Sequence, residues 1–113
     1  MMLREPLAKA ADAVASAIRE SQEYEEYERQ KKAVRSDPAT KALIERAKQI
    51  QISLMEIPEG ERGSDYAESL QDEYEEITEN TSVYEYARAE SAYLMMVQEV
   101  LGSIIENVDI DIQ

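Results

Sequence analysis

Chemistry in this 113-residue chain has to come from carboxylates and phenols, because it contains no Cys, His, Trp or Phe. Without a thiolate, an imidazole or a soft metal ligand, most hydrolytic chemistry and zinc chemistry are excluded. Carboxylates are plentiful, with 25 Asp and Glu against 12 Lys and Arg, and adjacent pairs such as Asp72-Glu73 and Glu75-Glu76 are of the type that holds hard cations or cleaves glycosides. Their setting argues against both. A calcium loop spaces Asp and Asn around a central Gly, and an acid/base pair needs a cleft that a thin helical bundle does not offer. The expectation is a non-enzyme with no catalytic residue, no metal and no cofactor. Two constellations remain. Tyr24 and Tyr27 with Tyr84 and Tyr86 form a candidate interaction cluster, because Tyr joins apolar area to a polar tip. The alternative is that these rings cover a bundle end in place of the absent Phe and Trp. Arg19 and Glu90 form a candidate structural ion pair that fixes the register of two helices.

Helices must position these residues, and three Gly and three Pro punctuate the chain into them. Pro6 suits a first helical turn, and nothing breaks the run from there to Arg35. Leu7, Ala11, Val14, Ile18 and Ser21 keep the spacing of one buried stripe. Arg29, Lys31, Lys32 and Arg35 gather where a helix C-terminus is negative, so one helix over 6–35 is expected, about 45 Å long. Asp37-Pro38 is a start signal for a second helix over 38–57, with Leu43, Ala47, Ile50, Leu54 and Ile57 as its stripe. The polar run from Pro58 to Gly63 ends it, and Ser64 and Asp65 cap a third over 65–79 with Tyr66, Leu70, Tyr74 and Ile77 inward. The outer face of this third helix is Glu68, Asp72, Glu73, Glu75, Glu76 and Glu79 with no basic neighbour, so it is expected to be the least stable.

Asn80-Thr81-Ser82 marks the next break, and Ser82 with Glu85 reads as a capping box for a last helix over 83–108. Val83, Ala87, Glu90, Leu94, Val97, Leu101, Ile104 and Val108 run along it as an a/d seam. The tail from Asp109 alternates like a strand but is too short to form one. The fold class is therefore all-α: a four-helix arrangement in a single domain over 1–113, with long first and last helices forming an antiparallel coiled coil. Setting Leu7 near Ile104 and Val14 near Val97 brings Tyr27 to Tyr84 and Arg19 to Glu90.

Net charge is -13, but its distribution says more. Residues 1–62 carry 11 basic and 12 acidic groups, whereas residues 63–113 carry Arg88 alone against 13 acidic groups. Such a surface disfavours direct nucleic-acid binding and anionic lipid, and favours a basic protein partner or simply solubility. The charged first twenty residues do not resemble an export signal, and no stretch approaches a membrane span, so a cytoplasmic protein is expected. Only 28 Ile, Leu, Val and Met are available for a core, and long thin helices with so few suggest completion by a second subunit, a homodimer.

The run Ala17-Ile18-Arg19-Glu20-Ser21-Gln22-Glu23-Tyr24-Glu25-Glu26-Tyr27, then Asp37-Pro38, then Asn80, Val83-Tyr84-Glu85-Tyr86 and Ala89-Glu90, resembles the YlbF/YmcA family of small helical proteins. The likeness covers about residues 7 to 105. It implies a cytoplasmic regulatory adaptor that assembles with related family members and a third protein. In Gram-positive bacteria such complexes are linked to ribonuclease Y, messenger-RNA processing, competence, sporulation and biofilm formation, and the resemblance leaves open which process is served. Some complexes of the family are associated with iron-sulfur clusters, which need Cys thiolates; this chain has none, so no cluster is carried over. The rival reading is a structural helical dimer or scaffold that binds basic proteins through its acidic surface.

Overall fold

The computed structural model describes residues 3–108, and every regular element among them is helical. In chain order these are α1 (Glu5–Arg19), α2 (Gln22–Arg35), α3 (Pro38–Glu56), α4 (Asp65–Thr78) and α5 (Thr81–Asn107), with one 3₁₀ turn at Glu59–Glu61. Four expected helices are thus five, because the run over 6–35 is interrupted at Glu20 and Ser21. The cause is local. The Ser21 hydroxyl donates to the Ile18 carbonyl at 2.6 Å and accepts from the Tyr24 N–H at 3.1 Å, the position of a cap on the third residue of a new helix. Glu23 and Glu25 then lie in the first turn of α2, where the helix dipole favours negative charge.

The other starts are capped in the same way. Asp37 accepts from the Thr40 N–H at 3.3 Å and from its hydroxyl at 2.7 Å, with Pro38 at the first helical position. The Ser64 hydroxyl accepts from the Ala67 N–H at 3.2 Å. For α5 the cap is Asn80, whose side-chain oxygen accepts from the Val83 N–H at 3.1 Å, and not the expected Ser82 with Glu85. Asn caps at least as well as Ser, and starting the helix at Thr81 leaves Ser82 inside its first turn. The strand-like tail expected from Asp109 onward lies outside the described residues.

The described residues gather into two compact units, one of residues 30–88 and one of residues 3–29 with 89–108. The core belongs to the first of these. Ile44, Ile50 and Ile57 of the α3 segment meet Ala67, Leu70 and Ile77 of α4, and Ile50 is 0% exposed. The stripe expected on α3 is the one that packs. On α4 the inner face is Ala67, Leu70, Tyr74 and Ile77, whereas Tyr66, expected inward, is 61% exposed. With the helix starting after Ser64, Tyr66 falls about 100° to one side of Ala67, whose small side chain sits at the contact. Arg46 clamps the pair from outside, its Nε and Nη2 donating to the two Glu73 carboxylate oxygens at 2.7 and 2.8 Å. Glu73 therefore has a cation on α3, although α4 itself supplies none.

The other unit is thinly packed. No residue of α1 is buried, and the side turned inward is Ala8, Ala15, Ser16 and Ile18, each half-buried. Leu7 and Val14 of the expected stripe are 60% and 37% exposed. On this part of α5 the covered residues are Ala89, Glu90, Tyr93, Met96, Val97 and Val100, so the seam residues Glu90 and Val97 are half-buried while Leu94 and Leu101 are 49% and 53% exposed. The α5 helix has apolar residues on two adjoining flanks, and the flank that turns inward is the one carrying Tyr93.

Candidate functional site

The sequence places Tyr24 and Tyr27 one turn apart on α2, and the Ser21 cap fixes where that helix begins. Both rings meet Tyr93 of α5. Tyr27 stacks on it with centroids 4.9 Å apart and planes at 12°, and Tyr24 leans against it at 5.8 Å and 58°. These separations are those of favourable aromatic pairs. All three rings are half-buried, so each keeps part of its surface for a neighbour.

Tyr27 thus pairs with a ring nine residues beyond the Tyr84 that the expected register set beside it. That register extends the stripe of α1 through an unbroken helix, whereas the cap at Ser21 starts α2 afresh. Tyr84 and Tyr86 lie in the unit of residues 30–88, where Tyr84 is 54% exposed and Tyr86 is half-buried against the core. Tyr93 is the member of the cluster that the spacing of Tyr24, Tyr27, Tyr84 and Tyr86 does not point to. Arg19 is exposed in the last turn of α1, and Glu90 is half-buried on α5.

Perturbed titrations sit at structural contacts. Hydrogen bonds from the Thr40 hydroxyl and then its N–H hold the Asp37 carboxyl below its usual range. The Arg46 guanidinium does the same to Glu73, and the Glu73 carboxylate raises Arg46 in turn. Among the described residues no three carboxylates converge as a metal site, and no helix is long and apolar enough to cross a membrane.

The family described as control of competence regulator ComK, YlbF/YmcA, matches residues 7–109. The chain belongs to the YlbF/YmcA family. No curated protein and no solved structure matches it. The YlbF/YmcA match takes in Tyr24, Tyr27 and Tyr93 together with the whole of α3 and α4, and the family's description is of regulation.

Proposed function

We propose that this chain is a non-enzymatic, cytoplasmic regulator that acts by protein-protein contact, as a homodimer within a ribonuclease-linked messenger-RNA-processing complex. The observation that supports the reading is the apolar stripe left in water. Leu7 and Val14 of α1 and Leu94, Leu101 and Ile104 of α5 keep heptad spacing, yet are 37–60% exposed. A stripe of that regularity is the pattern of a helix that meets another helix. In this reading the expected antiparallel coiled coil is completed by a second copy, and the rings of Tyr24, Tyr27 and Tyr93 offer a contact for sister proteins of the family. Neither nucleic acid nor membrane is engaged directly.

Affinity capture of the tagged chain from its host's lysate at two salt concentrations tests the partner. Related small helical proteins or a ribonuclease recovered at both salts support the regulator. The rival, an electrostatic scaffold for basic proteins, draws on the one-signed charge of α4 and predicts assorted basic proteins that wash off in salt. Tyr24→Ala should melt like the parent while losing capture; a large loss of stability instead would make the rings structural. Light scattering at micromolar concentration tests the dimer, and a monomeric mass refutes it.

A further inference from the structure

We propose that the open groove between α3 and α4 docks an amphipathic helix of a partner protein that carries Lys or Arg along one of its edges. The proposal rests on reading the chain as an interaction protein, and uses residues other than those of the tyrosine cluster.

The groove is built from two adjoining hollows of about 450 and 470 Å³ that share Leu54, Met55 and Gln71. Its floor is apolar, made by half-buried Leu54 and buried Ala67. Met55 stands on its rim and is 79% exposed. At one end the Gln51 side-chain amide donates to the Tyr74 hydroxyl at 2.9 Å, tying α3 to α4 and holding that wall in place. From Tyr74 to Ala67 the groove follows about two turns of α4, the length over which a bound helix presents anchors at i, i+3 or i+4, and i+7. Both walls are helices with their backbone groups used internally, so an extended strand finds no edge to pair with. A ridge of side chains from a third helix fits the gap.

Charge chooses the occupant. The α4 rim carries Glu68, which lines one hollow, and Glu75, which accepts from the rim residue Gln71 at 3.4 Å, and α4 contains no basic residue. Across the groove, the stretch between Glu45 and Glu56 contains no acid, Lys48 lies along that side, and Arg62 lines one hollow. One rim is negative and the other is not. A helix with an apolar stripe and cations on one edge is complementary in only one orientation, which gives direction as well as affinity. A second copy of this chain is the poorer fit, because its net charge of -13 opposes the acidic rim.

The probe is a fluorescein-labelled synthetic peptide of about five helical turns, with Leu along one face, Lys on one flank and Gln on the other. An isomer of the same composition with its Leu scattered is the control. Anisotropy with the full chain should show the ordered peptide binding about tenfold more tightly than the isomer. Met55→Glu separates docking from simple attraction, since it adds a negative charge and removes an apolar contact. Docking predicts about tenfold weaker binding, and attraction to net charge predicts equal or tighter binding. Gln71→Arg, on another exposed rim position, should also weaken it. Glu68→Gln with Glu75→Gln should reduce the salt dependence, while Glu106→Gln, far along the chain in the other unit, should change nothing. Equal binding of the two peptides, or undiminished binding by Met55→Glu, overturns the proposal. So does a chain whose self-association is abolished by Met55→Glu, which would make a second copy the occupant. Tyr24→Ala should leave peptide binding intact. Failed peptide binding with intact capture from lysate therefore removes the groove alone, and the reverse removes the reading of the tyrosine face.

Discussion

Truncating Ile50 is the sharpest test of where the core lies, because Ile52, two residues along the same helix, supplies an internal control. Ile50 is 0% exposed and Ile52 is 57% exposed. Ile50→Ala deletes three carbon atoms from a closed site, about 0.8 kcal/mol each, and the cavity left behind brings the expected loss to about 3–4 kcal/mol. Ile52→Ala removes atoms already largely in water and should cost less than about 1 kcal/mol. The gain in helix propensity is common to both and cancels in the comparison. A domain of this size has about 5–15 kcal/mol in all, so the first change removes a large part of it. Urea unfolding followed by circular dichroism measures both. With a slope of about 1–2 kcal/mol per molar, the midpoint of Ile50→Ala should fall by about 2 M or more and that of Ile52→Ala by less than about 1 M. Equal shifts would mean that α3 does not present this face to α4, and the assignment of the core would fail with it.

Three further outcomes are expected. Asp37 and Glu73 have depressed folded pKa values, so the stability they contribute is present above the unfolded values of 3.8 and 4.5 and is lost as pH falls through the folded ones. Relief of repulsion among the other carboxylates acts in the opposite direction, so the quantity to follow is the difference in Tm between the parent and Asp37→Asn with Glu73→Gln. That difference should favour the parent near neutral pH and vanish in acid; a constant difference refutes the assignment. Ser21→Ala should lower stability by about 1 kcal/mol, as loss of a cap does, and a higher Tm would mean that the hydroxyl does not maintain the break. A double-mutant cycle on Arg19 and Glu90 should return a salt-sensitive coupling of about 0.2–1 kcal/mol, and zero coupling removes the pair.

Much of the helical layout was legible because caps and breakers are local. Asp37-Pro38 and Ser64 start their helices as read, and Pro58 ends α3 within a residue of its expected end. Two errors came from residues that satisfy two patterns at once. Ser21 fits both a stripe and a cap, and the acidic pair Glu23 and Glu25 after it was the available signal that a helix starts there. In Asn80-Thr81-Ser82 two residues compete to cap, and the earlier one brings Val83, 4% exposed, to the position whose N–H is capped. Periodicity located the apolar stripe of α5 and its covered members Val83 and Val97, but not the rotation that leaves Leu94 and Leu101 in water. That choice depends on which ring meets Tyr93, a long-range contact that spacing along one helix does not encode. The groove was invisible for the same reason, since its two walls are 16 or more residues apart where Met55 faces Gln71.

The break at Ser21 also alters how the chain tolerates change in length. Within an unbroken helix an inserted residue turns everything after it by about 100°, and every face downstream is lost. Here the hydroxyl of Ser21 sets the angular origin of α2, so Tyr24 and Tyr27 take their bearings from it and not from α1. An insertion or deletion at Glu20 changes the reach of the joint without rotating the two rings away from Tyr93. Lineages can lengthen or shorten α1 independently of the aromatic contact, and length variation among such chains should concentrate on the N-terminal side of that serine.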